Sequence, residues 1–178
     1  MEREVYHDPI ATELAAFLRA KRDTIVDLVR RVERLTEALR VRTLKPVLCH
    51  ADIHAGNILI DADTFYVIDW DDPILAPKER DLMFVGGGLM GRGRTPQEEE
   101  TLFYQGYGPK QIDPGALAYY RYERIIQDIA LFCERVFLTD GEDPDRAQSL
   151  RYLKSNFMPN GTITIAYRSD KTAHLVQY

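Results

Sequence analysis

Cysteine, tryptophan and long apolar runs are all scarce in this sequence of 178 residues. It has two cysteines, Cys49 and Cys133, and one tryptophan. Two scattered cysteines do not make a disulfide framework, so we expect reduced thiols and a cytoplasmic protein. No apolar run reaches the about 18 residues of a membrane-spanning helix, and no signal segment opens the chain. Excess positive charge is also lacking: the formal net charge of −5 gives no general attraction to nucleic acid or membrane, and we expect neither as a partner.

Most of the sequence has the pattern of amphipathic helices in a globular protein. Apolar residues recur at steps of three and four over residues 9–41, which predicts one long helix or two in close succession. Asp8 followed by Pro9 is typical of a helix start. Further helices are predicted over residues 79–89, 97–107 and 116–138, and from Asp143-Pro144 to about residue 157. Residues 162–165 instead favour β-structure.

Two short strands are predicted in the middle of the chain. Residues 58–60 and 65–68 are apolar and flank a four-residue segment of turn composition, as in a β-hairpin. Asp52 and Asn57 precede the first strand, and Asp69 follows the second. The open end of the hairpin should therefore bring these three side chains together. The resulting fold class is α+β, mainly helical, with a short hairpin that carries the polar residues.

The spacing of these polar residues suits phosphoryl transfer. A carboxylate must accept the proton of the acceptor hydroxyl, and Mg²⁺ needs oxygen ligands from carboxylates or amides. Protein kinases place their catalytic Asp five residues before a metal-binding Asn, and a metal-binding Asp follows on the next strand. The same step separates Asp52 from Asn57 here, and Asp69 follows.

The segment HADIHAGNIL (residues 50–59) is similar to the catalytic loop of aminoglycoside phosphotransferases and choline-kinase-like enzymes. Residues 68–82 resemble their metal-binding segment, and the longer string DWDDPILAPKERDLMF (residues 69–84) looks most similar to spectinomycin phosphotransferases. The resemblance implies the C-terminal lobe of a protein-kinase-like fold. It also implies transfer of the γ-phosphate of ATP, with Mg²⁺, to a hydroxyl of a small, cationic aminocyclitol or aminoglycoside antibiotic.

The resemblance further implies a role for each matching residue. Asp52 would be the catalytic carboxylate. Asn57 and Asp69 would bind Mg²⁺ and, through it, the nucleotide. His50 would brace the catalytic loop, and Asp81 would accept hydrogen bonds from the backbone of that loop. Two roles are left open for His54: a hydrogen bond within the loop, or a contact with phosphate.

The acceptor side is less defined by the sequence. Asp71 follows the metal-binding segment, and Glu123 and Asp128 lie on the predicted long helix. Carboxylates there would attract a cationic acceptor. A solvated helix face, or a loop cap in the case of Asp71, is the competing interpretation.

We expect a single domain over residues 1–178. It would comprise a leading helical segment (1–45), a catalytic and metal-binding core (46–91) and a helical region on the substrate side (92–178). Nothing before residue 46 resembles the β-rich lobe with which this family clamps ATP. We therefore expect no turnover from the chain alone. A missing N-terminal lobe as partner, or self-association through the exposed lobe surface, would follow.

Three alternatives are left open by the residues. The chain could be a non-catalytic kinase-like module that binds a small molecule or a partner. It could be a metal-dependent hydrolase that uses His50, Asp52 and His54, since histidine and carboxylate bind Zn²⁺. Within the kinase class, choline, homoserine or another sugar-like metabolite could replace the aminocyclitol.

Overall fold

A computed structural model describes residues 8–87, 94–108, 111–139 and 144–175. Over these residues the chain is mainly helical with two small antiparallel sheets. The elements in chain order are α1 (Pro9–Ala20), α2 (Arg22–Arg40), β1 (Pro46–Cys49), a short 3-10 helix (Ala55–Asn57), β2 (Ile58–Asp61), β3 (Thr64–Val67), β4 (Ile74–Pro77), α3 (Glu79–Leu82), α4 (Pro96–Tyr107), α5 (Pro114–Leu138), α6 (Pro144–Ser155) and α7 (Thr162–Leu175). Among them, no helix combines the length and apolar character needed to cross a bilayer.

The helix starts follow the capping residues of the sequence. The Asp8 carboxylate accepts hydrogen bonds from the backbone N–H groups of Ile10 and Ala11, at 3.2 and 3.1 Å, which confirms the predicted start of α1. Asp113 caps α5 in the same way, and its carboxylate accepts from the Ala116 N–H at 2.9 Å. The predicted helix over residues 9–41 is two helices, which meet at Lys21.

The core lies around α5, the longest helix. Its buried residues Tyr122, Ile125, Ile129 and Val136 belong to one apolar cluster. The other helices that contribute to this cluster are α1, α2, α6 and α7, with Leu14, Leu28, Leu35, Leu153 and Ala166 among their buried residues. Because α5 is apolar on several sides, helices from both ends of the chain pack around it.

Residues 162–165 were expected to favour β-structure, and that expectation is wrong, because they open helix α7. Ile163, Ile165 and Ala166 are buried against the bundle. Asp170, one turn further on, is 1% exposed and lies 2.7 Å from the Arg34 guanidinium of α2. Packing and a buried ion pair thus outweigh the intrinsic preference of Thr and Ile for strands.

Strand β1 pairs with β4, a strand that the sequence did not predict. Pro46 lies opposite Pro77 and Cys49 opposite Ile74 in this antiparallel pair. The two strands are far apart in the sequence, so no turn residues between them predict the pairing. Proline also stands at the start of β1 and at the end of β4, where it weakens the strand signal. The sheet matters for the site because the segment after β1 comes to lie beside α3, which follows β4.

Strands β2 and β3 form the predicted hairpin. Ile58 pairs with Val67 and Asp61 with Thr64, so the turn consists of Ala62 and Asp63. At the open end, the Ile68 N–H donates to the Asn57 carbonyl at 3.0 Å. The start of β2 and the residues after β3 are thereby joined.

The helix predicted over residues 79–89 ends early. Only Glu79–Leu82 is helical, and residues 83–87 form turns. Gly86 has a φ of 84°, in the left-handed region that favours glycine. Residues 88 and 89 lie outside the described part of the chain, as does Asp143 in front of α6.

Candidate active site

The loop from His50 to His54 joins β1 to the 3-10 helix and carries Asp52. His50 is 3% exposed, and both of its ring nitrogens are bonded to the backbone. Its Nε2 lies 2.7 Å from the Ile68 carbonyl, and its Nδ1 accepts from the Asp52 N–H at 3.3 Å. This pattern assigns the proton to Nε2. The ring therefore connects the loop to the end of the β2–β3 hairpin.

Asp81 holds the same loop from the other side. One carboxylate oxygen accepts from the His50 N–H at 3.1 Å, and the other accepts from the Ala51 N–H at 2.7 Å. Ala51 has a φ of 72°, a left-handed conformation that is unfavourable for any residue with a Cβ. Two charge-assisted hydrogen bonds at this turn offset the local strain.

Asn57 and Asp69 lie at the open end of the hairpin. Asn57 is 8% exposed, and its Nδ2 donates to the Asp52 backbone carbonyl at 3.0 Å. Asp69 directly follows Ile68, whose backbone is hydrogen-bonded to Asn57 through its N–H and to the His50 ring through its carbonyl. Its side chain is exposed, and its φ of 67° turns the chain sharply at this point. One backbone hydrogen bond and two side-chain-to-backbone hydrogen bonds therefore connect the segments that carry Asp52, Asn57 and Asp69.

The Asp52 carboxylate lies between the guanidinium of Arg124 and the imidazole ring of His54. Arg124 of α5 brings its Nη1 to 2.8 Å from Oδ1, and His54 brings its Nε2 to 3.7 Å from Oδ2. The Oδ1 atom is buried and has no aligned hydrogen-bond donor, so its contact with Arg124 is an ion pair without hydrogen-bond geometry. The Asp52 side chain as a whole is 35% exposed.

Asp128 shares Arg124 with Asp52. The Arg124 Nε is 2.9 Å from the Asp128 Oδ1, one helical turn along α5. Burial raises the pKa of Asp128 above its usual value, and the Arg124 guanidinium partly opposes this rise. The guanidinium carbon is 5.3 Å from the centre of the Phe84 ring, which also contacts His54 edge-on at 5.5 Å.

The other acceptor-side residues are placed differently. Glu123 forms an ion pair with Arg80 of α3 and accepts from the Tyr119 hydroxyl at 2.8 Å, so it belongs to a separate cluster. Asp71 is exposed in the loop after Asp69. Of these three carboxylates, only Asp128 contacts a side chain that also contacts Asp52, namely that of Arg124.

Arg124 and Phe84 are site residues that the sequence reasoning missed. Arg124 stands four residues before Asp128, and this spacing indicates a pair on one helix face. The contact with Asp52, 72 positions earlier in the chain, has no sequence signal. Phe84 lies in the turn segment directly after α3, where nothing in the local pattern points to a role.

The hydrolase alternative has little support from the geometry. Both His50 ring nitrogens are taken by the backbone, and the His54 Nδ1 accepts from the Gly56 N–H at 3.0 Å. Within the described ranges, no group of three or more His, Cys, Asp or Glu side chains is arranged to hold a metal ion. A Zn²⁺ site built on His50, Asp52 and His54 is thus not formed.

The comparison with protein families gives one match. The model of the phosphotransferase enzyme family, known as APH, matches residues 2–120. The chain belongs to this family. The resemblance inferred from the residues is thereby confirmed.

Two solved structures of APH phosphotransferases are similar to the chain. One is a crystal structure of spectinomycin phosphotransferase, APH(9)-Ia, with ADP and spectinomycin, at 38% identity and a TM-score of 0.82. It is matched over 94% of this chain and 51% of its own. The other is the AMP-bound complex of the same enzyme, at 38% identity and a TM-score of 0.78, matched over 93% of this chain and 52% of its own. No curated protein gives a significant match.

These APH structures confirm the predicted fold class, a mainly helical C-terminal lobe of the kinase-like fold with a short hairpin. The chain spans about half the length of the phosphotransferase structures that it matches.

Proposed function

We propose that this chain is the catalytic lobe of an ATP-dependent phosphotransferase for a small, cationic aminocyclitol or aminoglycoside antibiotic such as spectinomycin. The family is one of phosphotransferases. The similar enzyme has been crystallised with spectinomycin and with adenine nucleotides, which supports the choice of acceptor and donor.

The hydrogen-bonded connection among three loop segments carries this proposal. Asn57 donates to the Asp52 carbonyl, and the Asn57 carbonyl accepts from Ile68, the neighbour of Asp69. A proton acceptor and two oxygen ligands at one end of a hairpin are the arrangement that phosphoryl transfer needs. In this reaction Asp52 orients the acceptor hydroxyl and takes its proton, while His50 and Asp81 hold the loop.

Asn57 and Asp69 fit a magnesium ion by their chemistry. The Asn57 Nδ2 is used in the bond to Asp52, so the amide oxygen is the atom that is left for a ligand. Asp69 adds an exposed carboxylate, and both donors are the hard oxygens that Mg²⁺ prefers. When bound, the ion would neutralise phosphate oxygens of the nucleotide.

Three carboxylates are assigned to the acceptor side. Asp71 and Asp128 would attract the ammonium groups of the acceptor, Asp71 from the exposed loop and Asp128 from beside the Arg124 contact. Glu123 would contribute least to this attraction, because its ion pair with Arg80 compensates its charge.

We also infer that the chain does not work alone. A second lobe, or another copy of the chain, would cover the exposed apolar faces of the strands. The cytoplasm is the proposed location, because it supplies ATP and keeps the free thiols of Cys49 and Cys133 reduced.

The test is phosphate transfer from ATP to spectinomycin, measured by ADP formation and by the mass of the product. The chain alone should give no measurable turnover, and the chain joined to the N-terminal half of a spectinomycin phosphotransferase should be active. In that joined enzyme, Asp52→Asn should lower kcat by about 10²- to 10⁴-fold because the proton acceptor is lost. The control is Asp63→Asn, in the turn at the far end of the hairpin.

Undiminished phosphorylation by the Asp52→Asn enzyme would contradict the proposed role of this residue. Choline and homoserine, assayed beside spectinomycin, test the acceptor class. If the joined protein transfers phosphate to none of the three but still binds ADP, the chain is a binding module.

Magnesium binding is tested separately from turnover. Asp69→Ala in the joined enzyme should weaken the binding of Mg²⁺–ADP while binding of ADP without metal changes little, as calorimetry can measure. The matched control is Asp63→Ala, and equal binding by both variants would remove Asp69 from the site.

A further inference from the structure

We propose that Arg124 is a positioning residue for Asp52: its guanidinium holds one carboxylate oxygen, Oδ1, and leaves the other, Oδ2, to the acceptor hydroxyl. This inference rests on the proposed function for its catalytic meaning. The positioning itself is a property of the chain and can be tested without any reaction.

The first step is the burial of the two oxygens. Oδ1 is buried and lies 2.8 Å from Arg124, whereas the Asp52 side chain as a whole is 35% exposed. The exposure is therefore on the side of Cβ and Oδ2. Because a carboxylate beside a fixed cation loses rotational freedom, the ion pair selects the orientation of the group.

The second step is what fixes Arg124 itself. Asp128 lies 2.9 Å from its Nε, and the aromatic face of Phe84 lies 5.3 Å from its guanidinium carbon. A carboxylate at Nε and a ring near the guanidinium carbon restrict a long side chain that would otherwise have many rotamers. Arg124 is 29% exposed, so water screens this cluster only in part.

The third step concerns the alignment of the contacts. Neither the Asp52 Oδ1 nor the Arg124 Nε has a hydrogen-bond partner of good geometry, although both are buried and close to opposite charges. Contacts in free enzymes are often poorly aligned and tighten when the substrate is bound.

The test is the side-chain conformation of Asp52 in the purified chain, measured by nuclear magnetic resonance at neutral pH. The three-bond couplings from its Cγ to the backbone nitrogen and carbonyl carbon report the χ1 rotamer. The unchanged chain should give the couplings of one rotamer. Arg124→Gln should move both couplings toward a rotamer average, and Arg124→Lys should restore them in part, because lysine keeps the charge but lacks the planar fork.

Two more variants complete the series. Asp128→Asn should loosen Asp52 to a smaller extent, since it acts through Arg124. Arg135→Gln removes an exposed arginine from the same helix, eleven residues later, and should leave the couplings unchanged. If Arg124→Gln fails to fold, Arg124→Lys and Asp128→Asn still decide the question.

Unchanged couplings in the folded Arg124 and Asp128 variants would overturn the inference, whatever the chain catalyses. In the joined enzyme, Arg124→Gln should lower kcat about 10- to 100-fold and change KM for the acceptor far less. If Arg124→Gln raised KM for the acceptor and left kcat unchanged, that result would also overturn the inference. Failure of the joined enzyme to transfer phosphate would instead remove the proposed function and leave the coupling data standing.

Discussion

Ala51 and Asp81 show how single residues shape the catalytic loop. Ala51 has a left-handed backbone directly before Asp52, and its N–H, like that of His50, is held by the Asp81 carboxylate. The conformation is costly for alanine, by about 1 kcal/mol or more. The loop therefore depends on a carboxylate that comes from α3, about thirty positions later in the chain.

Asp81→Ala should lower the free energy of unfolding by about 2–4 kcal/mol, because two backbone donors lose a charged acceptor. Urea denaturation measures the change. Adding Ala51→Gly to this variant should recover about 1 kcal/mol, since glycine adopts a positive φ without strain. Asp63→Ala is the surface control, and equal stability of the Asp63 and Asp81 variants would contradict the argument.

Local signals explain which site residues the sequence could predict. The step from Asp52 to Asn57 and the short hairpin are contained within about twenty residues, so pattern alone brings them together. Arg124 reaches Asp52 only because α5 packs beside the loop, and such a contact needs the whole fold. The connection among these loop segments was thus predictable from local pattern, but the contact of Arg124 with Asp52 was not.

Helix α7 shows the same contrast, between local sequence signals and contacts that depend on the whole fold, at the scale of elements. Its first residues have the composition of a strand, yet α5 and α2 offer an apolar surface and two arginines to a helix at this place. Strand β4 escaped prediction for a related reason, since its partner β1 is distant in the sequence. The capped helices α4 and α5, whose signals are local, were predicted to within a few residues, and so was the start of α1 at Pro9.

Asp170→Asn should destabilise the chain by about 2 kcal/mol at pH 7, because Arg31 and Arg34, which are 33% and 43% exposed, lose a charged hydrogen-bond acceptor. Burial by itself would raise the pKa of Asp170, but hydrogen bonds from Arg34 and Arg31 lower it below the usual value. A lowered pKa stabilises the folded state above the unfolded value of about 3.9, and this contribution is lost as the pH falls further.

The stability difference between Asp170→Asn and the unchanged chain should therefore be full at neutral pH and shrink below about pH 4. Urea midpoints measured from pH 7 to pH 3 test this dependence, with Asp63→Asn as the control. A difference that stays constant over the whole range would show that the ion pair does not act through the charge of Asp170.

At the scale of the whole molecule, a helical bundle carries two small sheets with exposed apolar pairs. Ile60 and Phe65 face each other across the β2–β3 hairpin and are 67% and 69% exposed. Leu48 and Leu75 form a similar pair in the β1–β4 sheet, at 65% and 76%. Two-stranded sheets without a covering layer are marginal by themselves, so this surface favours association.

The chain should associate as its concentration rises, and Phe65→Lys combined with Leu75→Lys should shift it toward the monomer. Sedimentation velocity over a range of concentrations measures the effect. Leu138→Lys changes an equally exposed leucine near the end of α5, about 21 Å along the helix from Arg124, and should not alter the distribution. An unchanged chain that stays monomeric throughout would contradict this expectation.

The packing of α1 and α2 against α5, α6 and α7 has a consequence for synthesis on the ribosome. The apolar stripes of the first two helices have no complete partner until the last helix has left the exit tunnel, some 135 residues after α2. At usual rates of translation this interval is about 7 to 30 s. Nascent chains of this protein should therefore be clients of chaperones that shield early amphipathic helices.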